Sequence, residues 1–112
     1  MRAKKIDTTH NPIADHLQSI GYSVSSTAGV GGGFPDLVVA DGWFTALVEA
    51  KTGTRKLRPG QEAFRKSWKG IRITANSPQQ AEAQLAFEKT KAIGLILSEA
   101  LSGTNEGAPK NP

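Results

Sequence analysis

The stretch Gly33–Lys51, GFPDLVVADGWFTALVEAK, constrains this chain more than any other, because two apolar runs flank a single Asp41-Gly42. An Asp-Gly between hydrophobic runs marks a tight hairpin, since both central positions of its preferred turn take positive φ. Pro35–Ala40 and Trp43–Lys51 are therefore expected to pair as antiparallel strands. With Asp41-Gly42 as the loop, Ala40 faces Trp43, Val38 faces Thr45 and Asp36 faces Leu47. Side chains alternate with period two, so Asp36, Glu49 and Lys51 share one side. The opposite side carries Leu37, Val39, Phe44, Ala46, Val48 and Ala50 and is expected to face the core.

In that register Asp36 lies diagonally across from Glu49, about 7–8 Å away along the backbone and less between the side chains. Two carboxylates over such a gap suit a hard cation that prefers oxygen ligands, Mg²⁺ or Mn²⁺. Lys51 follows on the same face, so two acids and an amine converge where a phosphate can be bound. Between Lys51 and Arg72 the chain sets eight cations against the single Glu62. The cations Lys51, Arg55, Lys56, Arg58, Arg65, Lys66 and Lys69 form a candidate nucleic-acid-binding stripe, since clustered positive charge draws in polyanions.

The chain has 112 residues, which suits one core. Residues 1–101 are expected to form a single domain, and 102–112, rich in glycine, proline and polar residues, a disordered tail. Cysteine is absent, which rules out disulfides and thiolate metal sites. No apolar run approaches the roughly 18 residues of a membrane span. A cytoplasmic protein with no membrane partner is the expectation.

Asn11-Pro12 supplies a helix cap followed by proline at the first helical position, and Ile13, Leu17 and Ile20 give the helical apolar spacing up to Gly21. His16 on this helix reads as a rim residue. Tyr22–Thr27 reads as a strand, and the glycine-rich 28–33 lacks the lysine and hydroxyl of a phosphate loop. Its role is a turn, or a close backbone approach beside the Asp36 strand. Thr52–Gly60 is expected as a basic loop, Gln61–Trp68 as a short helix and Gly70–Thr74 as a strand. Ser77-Pro78-Gln79-Gln80 has the form of a capping box opening a further helix. Ala92–Leu101 fits either a strand or a helix, with helix preferred. The fold class is α/β: a small mixed β-sheet with a central antiparallel hairpin, flanked by helices.

Pro35-Asp36, then Glu49-Ala50-Lys51, then Leu57 and Gln61 opening a helix, together resemble the PD-(D/E)XK nuclease superfamily. More narrowly, the order of these features over about Asp7–Phe87 resembles a small stand-alone VRR-Nuc type, Holliday-junction-resolvase-like nuclease. The resemblance implies a restriction-endonuclease-like core and hydrolysis of DNA phosphodiesters. It implies Asp36, Glu49 and the Ala50 carbonyl as ligands of Mg²⁺ or Mn²⁺. Lys51 would hold or activate the attacking water, and Gln61 would position the phosphate or the lysine. A homodimer acting on branched or Holliday-junction DNA follows from the same likeness. Relatives commonly carry a further glutamate on the first helix, where this chain has Pro12, with Asp7 and Asp15 the nearest carboxylates. The rival expectation is a non-catalytic nucleic-acid-binding module using the basic stripe.

Overall fold

The hairpin forms, and its turn is the first instructive detail of the computed structural model, which describes residues 11–51 and 56–107. Strand β2 spans Leu37–Asp41 and β3 spans Phe44–Ala50. They pair with Val38 opposite Leu47, Ala40 opposite Thr45 and Asp41 opposite Phe44. The two loop residues are therefore Gly42 and Trp43, one position later than Asp41-Gly42. An Asp-Gly loop would force Asp41 to positive φ, whereas in this loop Gly42 alone takes it (φ +64°), and among the described residues no non-glycine residue does. A Gly-X loop satisfies the twist of the strands without that strain. The shift moves each partner by two residues, so every side chain keeps its expected face.

Before β2 in sequence, β1 (Ser23–Ser26) pairs antiparallel with it. After β3, β4 (Arg72–Ala75) pairs parallel with it, giving a four-stranded mixed sheet in the order β1-β2-β3-β4. A parallel neighbour requires a crossover, and helix α2 (Pro59–Ser67) lies in that connection. The helix begins inside the expected basic loop, because Pro59 suits the first helical position and the Gln61 side chain accepts from the Arg58 N–H at 2.8 Å.

One face of the sheet holds the main core. Helix α1 (Pro12–Ser19) is opened by Asn11, whose side chain accepts from the Ala14 N–H at 3.0 Å. Helix α3 (Pro78–Gly107) is opened by Ser77, which accepts from the Gln80 N–H at 3.0 Å. Ile13 and Leu17 of α1 and Ala81 and Leu85 of α3 pack on Leu37, Val39, Phe44, Ala46, Val48, Ile73 and Ala75. That is the face assigned to the core from the alternation, with Ala50 half-buried at its edge. Ile20 departs from expectation: it is exposed at the end of α1, and Tyr22 is buried in its stead. His16 sits at the rim, its Nε2 2.7 Å from Glu82 Oε1.

Helix α3 runs unbroken through Ala92–Leu101 and ends at Gly107, six residues into the stretch expected to be disordered. Residues 108–112, 1–10 with Asp7, and Arg55 lie outside the described residues. At about 1.5 Å per residue, 30 helical residues span about 45 Å. This explains the extents of 61 × 31 × 30 Å, since the second half of α3 projects beyond the sheet. Among the described residues no helix is long and apolar enough to cross a membrane.

Candidate functional site

The second face of the sheet, beneath α2, carries the charges. Continuing the β2–β3 register by one residue beyond the Leu37–Val48 pair sets Asp36 opposite Glu49, closer than the expected diagonal. Asp36 is held there because its Oδ2 accepts from the Ala50 N–H at 2.9 Å. Thr27 anchors the segment from the other side, its hydroxyl donating to the Pro35 carbonyl at 2.7 Å and its N–H to the Asp36 carbonyl at 2.7 Å.

Glu49 is 2 % exposed. Its Oε2 accepts from Gln61 Nε2 at 2.8 Å and has Lys51 Nζ at 3.9 Å. Its Oε1 is buried with no donor facing it. Burial, and next the charge of Asp36, push the Glu49 carboxyl up to about 7, against the opposing pull of Lys51 and Arg72. An acid pair with an orphaned buried oxygen is a costly arrangement unless something cationic sits against it.

Gln61 is the hinge between α2 and this pair. It is buried, and its two ends are both used, accepting from Arg58 N–H and donating to Glu49. The helix carrying it is drawn onto the site face by an aromatic cluster. The Phe34 and Phe64 rings meet edge-on at 5.1 Å, and Phe64 stacks on Trp68 at 5.2 Å. The glycine loop makes the close approach: a Cβ on Gly33 would fall 2.2 Å from the Gly60 carbonyl oxygen. Only glycine fits there, as φ is also positive (+84°).

The side chain of Lys51 is 9 % exposed, so it points into the site and not along the exposed basic stripe. With Asp36 and Ala50 it lines a cleft of about 400 Å³ that opens between the starts of α1, at Asn11-Pro12, and α3, at Ser77-Pro78. Pro12, the position where a first-helix glutamate was sought, does reach this cleft but brings no ligand atom, and Asp15 is exposed on α1. Lys56, Arg58, Arg65, Lys66 and Lys69 are all exposed, with Arg65 paired to Glu62 at 2.8 Å.

Arg72 is the residue that sequence reasoning left out of the site. It stands on β4 opposite Leu47, on the same face as Glu49. Its guanidinium donates to Thr74 Oγ1 at 2.9 Å, while Nε and Nη2 are buried without acceptors. Burial pulls its pKa down, and Glu49 opposes that pull. The available signal was the alternation in Ile71-Arg72-Ile73-Thr74, which points Arg72 and Thr74 away from the core.

The donor set fits one hard divalent cation: two carboxylates side by side, one with an oxygen that no donor satisfies. Among the described residues no group of three or more His, Cys, Asp or Glu side chains converges. A cation here would therefore take its other ligands from backbone and water. The fold and this face define a mixed α/β domain with a buried acid pair beside a lysine. No protein-family model, curated protein or solved structure matches the chain significantly.

Proposed function

We propose that this protein is a divalent-metal-dependent nuclease of the PD-(D/E)XK type that hydrolyses DNA phosphodiester bonds, with branched or Holliday-junction DNA as the preferred substrate. The observation that carries the reading is the Asp36–Glu49 pair, with Glu49 Oε1 buried and unsatisfied and Lys51 Nζ 3.9 Å from Oε2. Mg²⁺ or Mn²⁺ held by Asp36, Glu49 and the Ala50 carbonyl would offset charge on the phosphate and make a neighbouring water more acidic. Lys51, fixed by its buried stem, adds positive charge where negative charge develops in the transition state. Gln61 holds Glu49 in place through its amide. Arg58, Lys56, Lys66 and Lys69 are exposed and available to the DNA backbone, and such contacts position a duplex without reading its sequence. A cytoplasmic setting accords with the cysteine-free composition.

The test is cleavage of supercoiled, single-stranded and four-way-junction DNA in Mg²⁺ or Mn²⁺, with Asp36→Ala and Lys51→Ala as controls. Each substitution should lower the rate by at least about 100-fold. Salt-sensitive binding with no cleavage of any of the three substrates would favour the non-catalytic nucleic-acid-binding module instead. Calorimetric Mn²⁺ binding that survives Glu49→Gln unchanged would remove Glu49 from the ligand set.

A further inference from the structure

Among the charged groups of the site face, Arg72 has no part in the chemistry proposed above. Strand β4 runs parallel to β3 with Arg72 opposite Leu47 and Thr74 opposite Glu49. The guanidinium reaches forward to Thr74, its Nη1 donating to Oγ1 at 2.9 Å, and so comes to lie on the β4 side of Glu49. Asp36 stands on the β2 side of the same glutamate. The two other guanidinium nitrogens, Nε and Nη2, are buried without an acceptor. They form one edge of the guanidinium plane, where an N–H from each runs parallel and matches two oxygens of a single anion. Glu49 does not take that edge: its Oε2 is held by Gln61 and Lys51, and its Oε1 meets no donor. A buried donor pair left open costs stability and returns nothing to the fold, so it suits an acceptor that comes from outside the chain.

We propose that Arg72 is the phosphate ligand of this site, its Nε–Nη2 edge taking two oxygens of one DNA backbone phosphate beside the Asp36–Glu49 pair. The inference rests on the nuclease reading for its substrate and adds a residue outside the resemblance to known nucleases. The two carboxylates repel a phosphate, so a group of opposite charge with open donors is needed on their far side. Lys51 is already engaged with Glu49 at 3.9 Å and, as a compact point charge, attracts a phosphate without fixing its orientation. The exposed cations of the stripe draw in the strand, whereas a buried guanidinium edge aligns one phosphate in a set plane. Both open nitrogens are closed to water, and the α2 charges that act on Arg72, Glu62 and Arg65, are paired with each other at 2.8 Å. A phosphate therefore reaches the edge with a displacement of α2, the helix that Gln61 fastens to Glu49.

The test reads the guanidinium itself by nuclear magnetic resonance. In the isotope-labelled full chain the Arg72 Nε–Hε cross-peak, assigned through its bonds to the Arg72 backbone, should shift saturably with a short single strand of DNA, in the presence or absence of Ca²⁺. Acetate at equal ionic strength should leave it in place. A cross-peak unmoved under both conditions, while the Lys66 and Lys69 amides respond to the DNA, overturns the proposal. An equal shift with acetate also overturns it, since the edge would then be an unselective anion site. In cleavage assays Arg72→Lys keeps the charge and loses the edge, so kcat should fall by at least about 100-fold. Its affinities for Mn²⁺ and DNA should stay within about threefold of the parent, because the acid pair and the exposed stripe are intact. An unchanged kcat overturns the proposal. The cross-peak needs no variant, so a misfolded Arg72→Lys does not shield the proposal from its test. A parent that cleaves no DNA while the cross-peak responds removes the catalytic reading and leaves Arg72 as a phosphate ligand.

Discussion

Val48 and Glu49 are neighbours on β3 and equally withdrawn from water, at 0 and 2 % exposure, yet they face opposite sides of one sheet and opposite physical situations. Val48 packs among Leu37, Phe44, Ala46 and Ile73 under α1 and α3, where burial itself is the stabilising term. Glu49 is buried under α2 beside a second carboxylate, with one oxygen tied to Gln61 and the other tied to nothing. One face is closed for stability; the other accepts an unfavourable carboxylate. A sequence that has room for leucine at a buried position and carries glutamate there points to chemistry, because the fold alone gains nothing from it.

The contrast can be broken most forcefully on the core face. Phe44 is 1 % exposed, and Phe44→Ala should cost about 3–5 kcal/mol of unfolding free energy by urea denaturation. The loss should be the same at pH 5 and pH 8, because the titratable group over its ring, Lys89, has its pKa raised from 10.5 and stays charged throughout that range. Thr45→Ala, one residue on and exposed, should change stability by less than about 0.5 kcal/mol. Equal losses for the two would mean that the hairpin faces are not segregated as described.

A smaller effect is expected where α2 is fastened to the site face. Gly33→Ala places a methyl 2.2 Å from the Gly60 carbonyl oxygen and strains a residue at φ +84°. The loss should be about 2 kcal/mol or more, with faster hydrogen exchange in the α2 amides than in those of β3. Gly31→Ala shares the positive φ but meets no atom within 4 Å, so it separates backbone strain from the clash. If both variants lose the same stability, the close approach to Gly60 does not hold α2 in place.

The two faces of the hairpin were legible in the sequence because period two leaves no freedom once Leu37, Val39, Phe44, Ala46 and Val48 must share a core. The register was not, because Asp41-Gly42 and Gly42-Trp43 are both good two-residue loops and differ only in whether Asp41 must take positive φ. The closer Asp36–Glu49 pairing depends on that choice. Arg72 was hidden in a run of cations that reads as solvated surface, and β4 is only four residues long, too short for its alternation to stand out. The length of α3 was obscured by Gly94 and Gly103, which resemble stops but cost a helix only about 1 kcal/mol each when the flanking residues favour it. The resemblance to PD-(D/E)XK nucleases named residues that the fold gathers on one face: Asp36, Glu49, Lys51 and Gln61.

The subtlest way to sharpen the comparison is to remove the charge of Glu49 and keep its shape. In the metal-free protein its carboxyl is raised from the usual 4.5 to about 7 by burial and by Asp36. Below pH 4.5 it is neutral in both folded and unfolded chains and contributes no pH dependence. Between 4.5 and 7 the unfolded chain gives up the proton while the folded one keeps it, so stability falls as pH rises. Above 7 the whole penalty is present. Glu49→Gln can still accept from Gln61 and carries no charge, so it should match the parent near pH 4.5 and exceed it at pH 8. The gain should be on the order of 2 kcal/mol, read as a higher melting temperature. Groups remote from the site titrate alike in both proteins, so the difference between their pH profiles reports the Glu49 charge together with its interaction with Asp36. Mn²⁺ should then raise the melting temperature of the parent at pH 8 and leave that of the variant unchanged, since only the parent offers a cation two carboxylates. Superimposable pH profiles would show that Glu49 is no more strained than Val48, and the two faces would differ in composition alone.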